Sequence, residues 1–273
     1  MFAPSPPGRK DRLAATRDAF DSIAPRYDDG NPLLERMRQT MWRILESELP
    51  PGGRLLDLGC GSGVDAVHMA RRGHEVLAID WSPGMVAQTR QQAARAGVAE
   101  RITTATLGIH QLSELPAAPF DGIYSDFGAL NCVPDLDPVA SSCALRLRAG
   151  GKLIVSVMGR IVPWERVHCA VRGDRERALV RARVGAVPVS LNGFTVWTTY
   201  YTPRELFRFF APYFQLHRYR ALGLFLPPPY LVKSYQRWPA LGALLGKMDD
   251  HLAGLPWLRD AGDHFVMTMI RRP

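Results

Sequence analysis

The sequence predicts an α/β fold, a mostly parallel sheet with helices on both faces. Three observations carry that reading. Short apolar runs recur between residues 54 and 157 and alternate with helical patterns. The first run ends in a glycine-rich turn, Gly59-Cys60-Gly61-Ser62-Gly63, that opens onto a helical stretch. The second run ends in an acid, Asp80. Strands that are apolar on both sides need cover on both sides, which a half-wet antiparallel sheet does not give.

The elements follow in order. Residues 12–49 read as helical, broken in two by Pro25, Gly30 and Pro32. The second piece places Leu34, Met37, Met41, Ile44, Leu45 and Leu49 near one face, and Pro50-Pro51-Gly52-Gly53 ends it. Strands are expected at 54–59, 74–80, 102–108, 120–127 and 151–157. Helices are expected between them at 64–73, at 82–97 with Ser82 as N-cap and Pro83 in the first turn, and through 141–148. Residues 159–185 read as polar and helical. Asn192-Gly193 between two β-rich runs predicts a hairpin over 185–202. A helix starting at Pro203, a strand at 214–222, an apolar Pro-punctuated helical stretch within 222–262 and a final strand at 263–271 complete the chain.

Composition narrows the function classes. The chain has 273 residues, 47% apolar and 22% charged, which suits a globular core and excludes a disordered chain. It reads as one domain, 1–273, with an N-terminal helical cap over 1–50 and two additions, 185–202 and 222–262. No run of eighteen apolar residues predicts a membrane span. The first twelve residues lack the apolar stretch of an export signal and read as a loose tail. Four cysteines without a C-x-x-C pair fit the reducing cytoplasm. A net charge of +8 can attract nucleic acid, anionic lipid or acidic small molecules. The cations are spread out, however, and acids interrupt the densest stretch, 172–184, so a nucleic-acid partner is not expected. The helical run after Pro229 allows a weak peripheral membrane contact.

The chemistry is concentrated at the first turn. Glycines there permit a sharp strand-to-helix bend and let a ligand lie against the backbone. Asp80, ending the next strand, is placed to accept both hydroxyls of a ribose. Gly61-x-Gly63-x-x-Ala66 also fits a dinucleotide fingerprint, so a nicotinamide-dependent oxidoreductase is a rival. Asp57 argues the other way. It stands directly before the glycines, where a carboxylate repels a pyrophosphate and suits a cationic nucleoside.

The ordered set of Asp57-Leu58-Gly59-Cys60-Gly61-Ser62-Gly63, Asp80, PFDGIYSD and LRAGG resembles class I S-adenosylmethionine-dependent methyltransferases over about residues 20–160. It is most similar to the small-molecule branch that includes the ubiquinone and menaquinone biosynthesis methyltransferases, and AFDSIAPRYD (19–28) resembles that branch's N-terminal signature. The resemblance implies a Rossmann-like seven-stranded sheet with an antiparallel last strand, and S-adenosylmethionine as cofactor. It implies that residues 51–158 bind that cofactor and 159–273 serve the acceptor. Asp57, Gly59, Cys60, Gly61 and Gly63 would surround the methionine part. Asp80 would hold the ribose, Trp81 would lie beside the adenine and Tyr27 would help close the pocket. After the third strand the family's usual acid is replaced by Leu107-Gly108-Ile109-His110, so Gln111 or backbone amides would contact the adenine.

Methyl transfer asks the protein mainly to align an acceptor and exclude water, with a base where a proton must leave. His264 is the first candidate base and Asp126 the second. The expected acceptor is a small organic molecule, O-methylated first and C-methylated second, and no metal is required. Phe194, Trp197, Tyr200 and Tyr201 of the hairpin and residues 224–230 are expected to roof an apolar acceptor pocket. An RNA or protein methyltransferase and a non-catalytic nucleoside-binding protein remain as rivals.

Overall fold

The computed structural model describes residues 8–273 except 29, 117–118 and 175–177, so residues 1–7 of the expected twelve-residue tail lie outside the described residues, while its end, from Arg9, is helical. Seven strands form one sheet: β1 (Arg54–Leu58), β2 (Glu75–Asp80), β3 (Ile102–Thr106), β4 (Phe120–Ser125), β5 (Leu147–Met158), β8 (Phe214–Leu222) and β9 (His264–Arg271). Their order is β3-β2-β1-β4-β5-β9-β8. β9 runs antiparallel to both of its neighbours and the other pairings are parallel. The expected sheet and its antiparallel last strand are therefore present.

The continuous apolar runs are explained by the two faces. In β1, Leu56 and Leu58 join one cluster with Ile123, Val155 and Phe265. Leu55 joins the opposite cluster with Tyr124, Ile154 and Val266. Successive side chains point to opposite faces, and both faces are covered. Helices α5 (Asp137–Arg146) and α7 (Pro203–Phe210) supply Ala140, Cys143, Leu206 and Phe210 to the first face. Helices α2 (Pro32–Glu48) and α3 (Val64–Arg71) supply Met37, Met41, Leu45, Ala66 and Met69 to the second.

Helix boundaries follow local chemistry. The Asn31 side chain accepts from the Leu33 and Leu34 amides at the start of α2, with Pro32 in the first turn. Ser82 Oγ accepts from the Met85 amide at 3.0 Å and starts α4 (Pro83–Arg95) as expected. At α7, Thr202 and Glu205 cap each other reciprocally. Each such cap contributes on the order of 1 kcal/mol. Two expectations shift. The helix expected through 141–148 begins earlier, and its last residues belong to β5 instead. Within 159–185 the described residues hold α6 (Pro163–Val171), a helical Ala178 and a short turn at Val180–Ala182, with a break after α6.

The two additions pack on different elements. β6 (Ala186–Leu191) and β7 (Phe194–Thr199) form the expected two-stranded hairpin, turning at Asn192-Gly193. The hairpin packs against α1 (Arg9–Ile23). The second addition holds α8 (Val232–Arg237) and α9 (Pro239–Leu252). Among the described residues, no helix is long and apolar enough to cross a membrane.

Candidate active site

The carboxyl ends of β1, β2, β4 and β5 border a cavity of about 310 Å³. Parallel strands end there together because each crossover helix returns the chain to the other edge. Its floor is the glycine turn. Gly61 has φ of +52°, and a Cβ there would lie 3.2 Å from Tyr27 Cε1, so the Tyr27 ring rests directly on this backbone. At Gly63, with φ of +87°, a Cβ would meet Thr89 Cγ2 at 2.6 Å, so α3 and α4 can approach only with glycine in place.

Asp80 fixes the turn. Its Oδ2 accepts from the Gly61 amide at 3.0 Å and its Oδ1 from the Ser82 amide at 2.9 Å. Burial raises its pKa, and these backbone donors offset part of the rise. Carboxylates accumulate around the bend. Burial pushes the Asp57 carboxyl well up, and Asp65, Asp126 and Asp80 push it further, while the neighbouring Tyr124 hydroxyl opposes. Burial and Asp65 likewise push Asp126 up to about 8. A single guanidinium answers this group among the described residues: Arg38 lies 3.2 Å from Asp28 and 3.5 Å from Asp65, and stacks over Phe127. Asp57 Oδ2 and Asp126 Oδ2 are buried without a hydrogen-bond partner in the protein. Asp80 and Asp126 line the cavity, with Arg17 on its wall beside Trp81, and the unpartnered Asp126 Oδ2 fits a ligand that brings positive charge and donors.

Tyr27, Gly59, Gly61, Asp80, Trp81 and Asp126 line the cavity, as the sequence reading expects of a shared site. Asp57, Cys60 and Gly63 lie just behind it, two of them as backbone and packing partners. Trp81 and His110 meet with ring centroids 4.3 Å apart, and Arg17 stands over the other side of the indole. His110, Gly108 and Ile109 line the cavity beside them. Gln111 does not. Its side chain accepts from the Gly108 amide at 3.1 Å and donates to Glu114, so it braces the turn. The Gln111 side chain is therefore not placed to touch a ligand in the cavity, where Gly108, Ile109 and His110 stand instead.

His264 also stands outside the cavity wall. It is buried, its Nδ1 lies 3.0 Å from Asp263 Oδ2, and its ring meets the edge of Phe127, which does line the cavity. Burial would raise the Asp263 pKa, but Arg181 overrides this and holds it below the usual carboxylate range. Arg181 lies 2.7 Å from Asp263 and 2.6 Å from Glu165 and faces Tyr200. Asp263, His264 and Arg181 form a buried clamp that ties β9 to the segment after α6. Of the two expected bases, only Asp126 faces the cavity.

The roof is a correction. α1 contributes Leu13, Thr16 and Phe20, and the hairpin contributes Val189, Leu191, Val196 and Thr198. The aromatics expected there are placed otherwise. Trp197 pairs with Pro188 on the opposite hairpin face, because Val189 and Val196 are the pair turned inward. Phe194 is exposed at the tip, Tyr200 stacks on Arg181, and Tyr201 joins the core. Residues 224–230 do not border the cavity. Leu224 packs with Ala221 and Ala253 instead. The residues missed had a signal: Val187, Val189 and Leu191 alternate with Pro188 and Ser190, the period of a half-buried strand. Asp28, Arg38 and Asp65 carried none, since they meet only in space.

Comparison with known proteins agrees with this geometry. Residues 55–151 match the family model described as "Methyltransferase domain". A ubiquinone biosynthesis O-methyltransferase of Xanthomonas axonopodis pv. citri is 31% identical over 147 residues, 52% of this chain and 60% of that protein. A demethylmenaquinone methyltransferase of Thermobifida fusca is 35% identical over 144 residues, 50% of this chain and 58% of that one. The chain thus spans about three fifths of the curated relatives it matches. Among solved structures, a 1,6-didemethyltoxoflavin-N1-methyltransferase of Burkholderia thailandensis, bound to 1,6-didemethyltoxoflavin and S-adenosylhomocysteine, superposes with a TM-score of 0.61. It is 20% identical and covers all of this chain and 94% of its own, a likeness of fold.

Proposed function

We propose that this chain, which carries a methyltransferase domain over residues 55–151 and has the class I S-adenosylmethionine-dependent methyltransferase fold, transfers the methyl group of S-adenosylmethionine to a small apolar organic acceptor. The observation that carries the proposal is the carboxylate group around the glycine bend. Asp28, Asp57, Asp65, Asp80 and Asp126 crowd there; among the described residues Arg38 pairs with Asp28 and Asp65, and Asp57 Oδ2 and Asp126 Oδ2 are buried without a hydrogen-bond partner. The residues fit the cofactor. Asp80 offers acceptors to ribose hydroxyls, Asp57 faces the amino end of the methionine part, and Trp81 with His110 offers an aromatic wall for the base. When bound, the cofactor supplies an electrophilic methyl on a cationic sulfur.

The protein's own part is placement and proton management. Tyr27, Phe20 and the hairpin cover the pocket and exclude water, which strengthens every charge interaction inside it. Asp126 holds a proton near neutral pH because burial and Asp65 disfavour its ionised form. A cationic cofactor in the pocket would favour the ionised form, and in that form Asp126 can take a proton from an acceptor hydroxyl or acidic carbon. This gives Asp126 the base role, and leaves His264 to position Phe127 and the end of β9. Val189, Leu191 and Val196 supply an apolar surface with few groups to recognise a charged acceptor. The similarity to quinone-biosynthesis methyltransferases favours an aromatic, lipophilic acceptor, with O-methylation first and C-methylation second. A cytoplasmic setting suits the cysteines, which form no disulfide among the described residues.

The test is incubation with methyl-labelled S-adenosylmethionine and a panel of phenolic, quinone-like and polyketide-like acceptors, read by mass spectrometry. A labelled apolar product supports the reading. Label found only on RNA or protein, or cofactor binding with no transfer to any acceptor or cell extract, overturns it.

A further inference from the structure

We propose that the α8–α9 segment is an interfacial anchor that rests on an anionic lipid surface. The observation is a helix whose fully buried positions are small or polar, with Leu245, Met248 and Leu252 half-buried beside them and two further leucines left outside. A helix packed on a soluble body turns its large apolar residues inward. In α9 the inward residues are Gly242, Gly246 and Asp249, spaced four and three apart. Gly242 admits the Tyr235 ring and Gly246 admits the Arg36 guanidinium. Leu241 and Leu244 instead stand 50% and 54% exposed, with Trp238 before the helix at 62% and Trp257 after it at 89%.

The orientation is fixed by polar anchors. Asp249 accepts from the amides of Leu224, Phe225 and Leu226, and Asp250 pairs with Arg36 and Arg43. Rotating α9 to bury its leucines would break all of these, so the outward apolar face is built in.

Charge selects the occupant. Lys233, Arg237 and Lys247 are exposed and have no ion pair among the described residues. The acids of α9 are engaged inward, and Asp260 accepts from the Tyr219 hydroxyl. Cations flanking exposed tryptophan and leucine match an interface of acyl chains below anionic headgroups. A second copy of this chain would bring the same cations face to face. The segment leaves the sheet from the end of the edge strand β8, which runs parallel to β5, and Asn31 Nδ2 donates to the Pro229 carbonyl at 3.0 Å. The proposal stands on this face alone and does not depend on the chemistry of the cavity.

The experiment is co-sedimentation of the full chain with vesicles of phosphatidylcholine alone or mixed equally with phosphatidylglycerol. The expected result is roughly tenfold or greater preference for the anionic vesicles, weakening with added salt, with a blue shift of tryptophan emission. The pair Leu241→Asp with Leu244→Asp should abolish binding while leaving the unfolding midpoint and cofactor affinity in place. If that pair unfolds the protein, Lys233→Gln, Arg237→Gln and Lys247→Gln together carry the test through loss of the anionic preference. Absence of binding to anionic vesicles, or binding untouched by these changes, overturns the proposal. So does a solution dimer that the leucine variant converts to monomer.

Discussion

If Asp126 faces the cofactor's cationic sulfur as proposed, cofactor affinity depends on pH. The Asp126 carboxyl is pushed up to about 8 by burial and by Asp65. The sign follows. The native state holds a proton that the unfolded chain releases, so without ligand this group lowers stability as pH rises from the ordinary carboxylate range through about 8. A cation in the cavity favours the ionised form and reverses that trend. About one tenth of Asp126 is ionised at pH 7 and about nine tenths at pH 9, taking the midpoint at about 8. Affinity for a cation that needs the ionised form therefore rises about tenfold across that window. Calorimetry with S-adenosylmethionine and S-adenosylhomocysteine at pH 7, 8 and 9 measures this. The sulfonium charge also shifts the titration of the ligand's amine, and that effect is shared by Asp126→Asn, so the variant serves as the baseline. The ratio should rise with pH in the native protein by several-fold more than in Asp126→Asn. A ratio constant within twofold, or an equal rise in the variant, would refute the reasoning.

Three further outcomes are expected. Asp80→Ala should weaken cofactor binding by about 1–3 kcal/mol through lost acceptors, measured by calorimetry, and unchanged affinity would remove Asp80 from the ribose role. Gly63→Ala places a Cβ 2.6 Å from Thr89 Cγ2 at a positive φ and should cost about 2–4 kcal/mol in urea unfolding. Leu191→Asp should lower acceptor turnover at least tenfold while cofactor affinity stays within about twofold, and a parallel loss of both would show that the hairpin does not divide the labour this way.

Much of the cofactor side was legible because it is local. A glycine run after an apolar run, an acid at the tip of the next, and a Ser-Pro helix start each act within a few residues of themselves. The acceptor side depends on contacts far apart in sequence. Asp28, Arg38, Asp65 and Asp126 come from four different elements, and no spacing rule joins them. Aromatic content suggested the roof, whereas strand register decided it. Val189 and Val196 face inward as a pair, which sends Trp197 outward. His264 looked like a base from its position at the start of β9, but Asp263 and Phe127 had already engaged it. The exposed leucines of α9 run against the usual pattern, and sequence reading by hydrophobic content alone places them in a core.

Crowded carboxylates are proposed to make this bend a receptor for a positively charged nucleoside. The most direct measurement is a crystal structure with S-adenosylhomocysteine bound. The account predicts ribose hydroxyls on Asp80, the ligand's amine facing Asp57, and its sulfur on the Asp126 side. A nucleoside seated away from Gly61, or a dinucleotide whose phosphates occupy the bend more tightly, would contradict it.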